Sequence, residues 1–258
     1  MTRFEELLGT DFDGEPTTDI DDVIDSASED PRHRERVPGL IELMNDPGEP
    51  EKERFLACLA LTTWAEPAGF EAVIRAASDP GGTPWYDFSI DRKFSVDSTF
   101  SQLAVAVDGS RYLVEEKGTA ALREQAFRAL VQLADTQYFE DRLGELIDSA
   151  TVRAALGDIK EVVGRGARSL AAGEKQRFDL ATQLVDLTCA VAPVDALLSV
   201  GLAMSVLRVS ASPRTVDHAV TLVFRAEGPE VRQFGEYLLT LGDEGVRAEV
   251  REALGRGQ

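Results

Sequence analysis

RFLACLALTTWA, residues Arg54–Ala65, returns 69 positions later as REQAFRALVQLA, residues Arg123–Ala134. The two stretches share Arg-x-x-Ala-x-x-Ala-Leu-x-x-(Trp/Leu)-Ala, and the apolar positions recur with the spacing of one face of an α-helix. The match continues at the same offset, with Phe70-Glu71 against Phe139-Glu140, Ile74 against Leu143 and Asp79 against Asp148. Each copy is therefore expected to be two helices joined by a short turn. Looser echoes follow at Arg177-x-x-Leu180-x-x-Gln183-Leu184-x-x-Leu187 and Arg232-x-x-Gly235-x-x-Leu238-Leu239. A repeat of this length sets the architecture before any motif does. The expected fold class is all-α, an α-solenoid of antiparallel helix pairs, with one irregular insertion around residues 80–118.

Outward from the repeat, residues 1–29 are expected as an acidic, partly ordered N-terminal segment, and residues 30–258 as the repeat domain. Ile20, Val23 and Ile24 have the spacing to dock one helical turn onto the first repeat. Asp30-Pro31 opens a helix whose stripe is Val37, Leu40, Ile41 and Met44, and Asp46-Pro47-Gly48 ends it. Residues 99–107 read as a helix with Thr99 and Gln102 as a capping box, against a hairpin turning at Asp108-Gly109. Further helices are expected at 120–134, 137–149, 151–163, 175–191, 194–209, 213–226, 229–241 and 244–254. The 151–163 helix is expected to end at Gly164-Arg165-Gly166. The run Val191–Val209 is apolar nearly all round and is expected to be covered on both sides.

Charge narrows the partners. Acids outnumber bases 46 to 27, a net charge of −19, so phosphate backbones would be repelled and nucleic acid is not an expected partner. Residues 1–30 hold 11 acids and one base, Arg3, and so carry more than half of the imbalance. No stretch is apolar enough to span a membrane and the first 30 residues lack a secretory h-region, so no membrane association and a cytoplasmic location are expected. Cys58 and Cys189 lie within apolar helical phrases and read as unpaired core thiols.

Catalytic material is sparse. His33 and His218 are the two histidines, and neither stands in a metal-binding or nucleophile-activating context. His33, among Arg32, Arg34 and Arg36, is expected to be solvated. Asp11-Phe12-Asp13-Gly14 opens like a calcium loop, but Pro16 and Asp22 stand where glycine and glutamate are needed. No cofactor or metal is expected. Two segments offer recognition chemistry. The first is the aromatic loop at 80–98, where Trp85, Tyr86, Asp87, Phe88, Asp91, Arg92 and Phe94 combine large rigid rings with charge, as binding hot spots do; the same rings would also serve to plug a gap between helices. The second is an acidic contact segment, Asp19, Asp21, Asp22 and Asp25. The repeated Arg54 and Arg123 read as structural braces, because a repeated residue implies a repeated environment.

The phrase Arg54–Asp79, repeated as Arg123–Asp148, resembles a HEAT-like, armadillo-type helical repeat. The last copies depart from it, with Gly235 in place of alanine and Gln183 intruding in the third. The resemblance implies stacked helix pairs with a concave face, and proteins of this kind mostly bind other macromolecules. The expected function is a non-catalytic protein-binding module for a basic partner, most concretely an immunity- or antitoxin-like protein. The alternatives are an acidic DNA-mimic regulator that sequesters a DNA-binding protein, and a carboxylate-based enzyme on a helical-repeat scaffold.

Overall fold

The computed structural model describes residues 2–86, 90–91 and 96–255. It is all-α, and its strands amount to one two-residue ladder among the described residues. In chain order the elements are α1 (Arg3–Leu7), α2 (Ile20–Ser26), α3 (His33–Asn45), α4 (Glu51–Thr63), α5 (Pro67–Ser78), β1 (Ile90–Asp91), β2 (Val96–Asp97), α6 (Thr99–Gly109), α7 (Val114–Lys117) and α8 (Ala120–Val131). They continue with α9 (Leu143–Leu146), α10 (Ser149–Ala171), α11 (Leu180–Val191), α12 (Ala196–Leu207), α13 (Pro213–Arg225), α14 (Pro229–Leu241) and α15 (Glu244–Gly255). The chain divides into two compact units, Met1–Leu130 and Val131–Gln258.

In the first unit α4 is the central helix, with α2, α3, α5 and α6 packed on it. Phe55, Leu61 and Trp64 of the repeat phrase are fully buried, together with Phe70 of α5 and Phe100 and Leu103 of α6. The first copy forms the expected two helices, α4 and α5, joined at Trp64-Ala65-Glu66. Their closest approach is at Gly69, where an added Cβ would lie 2.4 Å from the Thr62 nitrogen and 2.6 Å from the Leu61 carbonyl carbon. A side chain there would strike backbone, which cannot rotate away. Residues 99–109 are helical, and the hairpin reading is set aside. The N-cap is Ser98, so Thr99 is the first helical residue and not the cap; Asp97 Oδ1 accepts from the Thr99 amide at 3.1 Å and from the Thr99 hydroxyl at 2.5 Å.

The repeated arginines have a repeated environment. Arg54 Nε donates to the Met44 carbonyl in the last turn of α3 at 3.1 Å, and Arg123 Nε donates to the Val107 carbonyl in the last turn of α6 at 3.2 Å. Each guanidinium satisfies a helix-terminal carbonyl and complements the negative end of the helix dipole.

In the second unit every residue of α11 is buried, because α9, α10, α12 and α13 surround it. Here three expectations are corrected. The helix expected at 137–149 is not formed; turns occupy most of it, with Glu140 and Asp141 at positive φ, and before Ser149, which starts α10, only the four residues of α9 are helical. The cause is Gln183, whose side chain reaches out of α11 and bonds the backbone of this stretch at three points. Its Nε2 donates to the carbonyls of Ala134 (2.7 Å) and Gln137 (2.8 Å), and its Oε1 accepts from the Phe139 amide at 2.6 Å. Second, α10 does not stop at Gly164–Gly166 but runs through to Ala171. Gly166 is a contact point, where a Cβ would meet Leu184 Cδ1 of α11 at 2.5 Å. Third, α12 is not enclosed. Ser199, Ala203, Val206 and Leu207 face inward, whereas Leu197 is 64% exposed.

Candidate functional site

The turn between α4 and α5 organises the first unit. Trp64 Nε1 donates to the Ile24 carbonyl of α2 at 2.9 Å, the Ala65 carbonyl accepts from the Thr119 hydroxyl at 3.0 Å, and Glu66 pairs with Lys117 of α7. Three consecutive residues thus hold two short helices that are too small to be stable alone. His33 completes the cluster and corrects the expectation of a solvated ring: it is 1% exposed, with its ring 5.3 Å from that of Trp64. Its Nδ1 lies 2.7 Å from the Asp30 carbonyl oxygen, which can only accept, so Nδ1 carries the proton. Burial holds the His33 pKa below its ordinary value, with Lys117 and Arg34 adding to the effect.

Residues 2–29 are consequently part of this unit. Leu8, Val23, Ile24 and Ala27 are buried, and Arg36 donates to the carbonyls of Leu7 and Thr10 at 2.8 Å and to that of Asp11 while stacking 4.4 Å over Phe12. The Asp11–Gly14 sequence is a local turn in which Asp11 Oδ1 accepts from the amides of Asp13 and Glu15, each at 2.9 Å.

With Val23 and Ile24 facing inward, α2 turns its carboxylates outward. Asp19, Asp21, Asp22 and Asp25 are all exposed. Asp19 is also the N-cap, its carboxylate accepting from the Asp22 amide at 3.2 Å. Partial burial and then repulsion from Asp21, Asp22 and Asp19 raise the Asp25 pKa. The cations of this part of the chain are engaged elsewhere. Arg3 lies near Glu42 and Asp46, Arg32 binds Asp30 and Asp13, Arg34 binds Glu116, and Arg36 holds carbonyls. Among the described residues no cation pairs with the α2 carboxylates.

Of the aromatic loop, Trp85 is 5% exposed and packs on Phe55 with ring centroids 6.0 Å apart, and Tyr86 is half-buried. Asp87, Phe88, Arg92 and Phe94 lie outside the described residues; the Asp91 backbone pairs with Val96 in the β1–β2 ladder. Among the described residues the exposed aromatic of this unit is Tyr112, which is 72% exposed with the Arg111 guanidinium 5.5 Å from its ring centroid. Sequence reading passed over it because it follows an unremarkable Ser-Arg pair after α6.

The second unit contains buried carboxylates that no motif announces. Asp186 of α11 accepts from the Gly144 amide at 2.7 Å, and burial pushes its pKa up to about 7. Asp141 pairs with Arg214, yet its pKa is also raised, because burial outweighs the guanidinium. Cys58 and Cys189 are unpaired and buried, and burial pushes both thiols up to about 12. Such thiols carry almost no thiolate at neutral pH. Among the described residues no group of three or more His, Cys, Asp or Glu side chains is placed to hold a metal ion, and no helix is long and apolar enough to cross a membrane.

Comparison with known proteins finds no match among protein-family models, curated proteins or solved structures.

Proposed function

We propose that the chain is a HEAT-like helical-repeat protein of antiparallel helix pairs that binds a basic protein partner through the carboxylates of α2, without catalysing a reaction. The observation that carries this reading is the segregation of charge around α2. Four carboxylates stand exposed on and beside a helix anchored by Trp64, three of them repelling Asp25, while Arg32, Arg34 and Arg36 serve other groups of the same unit. Holding like charges together on a fixed surface costs stability, and an incoming cationic surface recovers that cost. The anchoring also lowers the entropy lost on association, since the acidic helix is already ordered. The net charge of −19 adds long-range attraction for a basic partner. The most concrete form of the reading is an immunity- or antitoxin-like protein that occludes a basic surface of its partner.

Removal of residues 1–28 is not a clean test, because it strips Leu8, Val23 and Ile24 from the core. The appropriate variant is Asp21→Asn/Asp22→Asn/Asp25→Asn, which keeps the Asp19 cap and the shape of every side chain. Immobilised wild-type chain is expected to retain a basic polypeptide from its native cells at low salt, and the triple variant to lose it. Equal retention by the two proteins, or retention of no basic polypeptide, contradicts the proposal.

A further inference from the structure

A pocket of 300 Å³ opens in the first unit between the end of α3, α5 and the turn Pro80–Trp85. It is lined by Met44, Arg54, Arg75, Asp79 and Trp85 among others, so two arginines line one small cavity in a strongly acidic chain. Arg54 commits its Nε to the Met44 carbonyl, and its terminal nitrogens have no hydrogen-bond partner among the described residues. The Arg75 side chain is 61% exposed, and among the described residues its one ion-pair contact is with Glu71 at 3.9 Å. Among the described lining residues the one carboxylate, Asp79, is turned to its own loop, accepting from the Gly82 amide at 3.2 Å.

A second observation points to a ligand independently of the charge. The Trp85 indole Nε1 is buried and has no hydrogen-bond partner. Among the described residues the other buried side-chain atoms without partners are His33 Nε2, Asp97 Oδ2 and Asp141 Oδ1. His33 Nε2 is an acceptor once Nδ1 holds the proton, and each aspartate has a second oxygen that is bonded. Among the described residues only the indole is an obligate donor left unmet, and buried donors are almost always satisfied.

We propose that this pocket binds a small oxyanion, a carboxylate or phosphate group, which bridges the Arg54 and Arg75 guanidiniums and accepts from Trp85 Nε1. All three groups donate, and an oxyanion supplies the several lone pairs they require. The volume is at the lower end of small-ligand pockets, which suits one anionic group on a few atoms instead of an extended polyanion. The site is separate from the α2 carboxylates and stands whether or not they bind a partner.

The two tryptophans give the test its own control, since Trp64 Nε1 is already bonded to Ile24. In ¹H–¹⁵N spectra of the full chain the two indole resonances are followed during titration with inorganic phosphate and, separately, with succinate, at fixed pH and ionic strength. The Trp85 resonance is expected to shift and saturate while that of Trp64 stays in place. Response to phosphate alone assigns a phosphate ligand, response to succinate alone assigns a carboxylate, and response to both assigns the shared chemistry. Arg75→Gln, a change at an exposed side chain, is expected to weaken binding about tenfold or more, the loss of one charge-assisted contact. A Trp85 resonance that neither anion shifts, a shift that never saturates, or one unchanged in Arg75→Gln overturns the proposal.

Discussion

The indole nitrogen of Trp64 lies 2.9 Å from the carbonyl oxygen of Ile24, and this bond ties the acidic helix α2 to the end of α4. Both partners are buried, so water cannot replace either one if the other is lost.

Trp64→Phe keeps most of the ring but leaves the Ile24 carbonyl unmet. The expected loss is about 1–3 kcal/mol in urea unfolding. Amide exchange in α2 is expected to speed up more than in α5, because only α2 loses its anchor. An unchanged exchange pattern in α2 would remove the anchoring role.

Gly69→Ala is expected to cost about 3 kcal/mol or more, since the new methyl group meets the backbone of Thr62 and Leu61 and no rotamer change relieves it. Gly157, with nothing near its Cβ position, is the control: Gly157→Ala in the middle of α10 is expected to stabilise by about 0.5–1 kcal/mol. Thermal or urea melts of the two variants read both effects.

Gln183→Leu deprives three backbone groups of their partner, the carbonyls of Ala134 and Gln137 and the amide of Phe139. The expected destabilisation is on the order of 4 kcal/mol. Protection of the 134–142 amides measured by hydrogen exchange is expected to fall first, ahead of α12 or α13.

Asp186 gives stability a definite pH dependence. Its folded pKa, about 7, is above its ordinary 3.8, so the folded chain holds a proton that the unfolded chain releases. No penalty exists below about pH 4. It grows as pH rises towards 7 and is complete above that, reaching about 4 kcal/mol at most from the size of the shift. Asp186→Asn retains an oxygen for the Gly144 amide and cannot ionise. The variant is therefore expected to gain on wild type by a few kcal/mol more at pH 8 than at pH 4, read from urea unfolding at the two values. An equal difference at both pH values would show that Asp186 ionises without penalty.

The first repeat copy was legible because its stripe, its Trp64-Ala65 terminus and Pro67 at the start of α5 all point to the same two helices. Its second copy read the same way and did not fold the same way. Local pattern favoured a helix over 137–149, and the deciding bonds come from Gln183, more than 40 residues on, which in sequence was only an intrusion in the third copy. His33 failed for a similar reason: its neighbours in sequence are cations, but its neighbour in space is Trp64. Glycines at 164 and 166 read as a break because the sequence cannot show that Leu184 needs the room at Gly166. The α2 carboxylates were visible as a cluster, whereas their exposure and their lack of cationic partners depend on where Arg32, Arg34 and Arg36 are spent.

The most direct test of the central claim is the association rate of the captured basic partner with the wild-type chain and with Asp21→Asn/Asp22→Asn/Asp25→Asn, measured across a range of salt. The wild-type rate is expected to fall steeply as salt rises, and the variant, with an unchanged melting temperature, to associate more slowly and with a shallower salt dependence. Identical rates and identical salt dependence in the two proteins would contradict an acidic docking surface on α2.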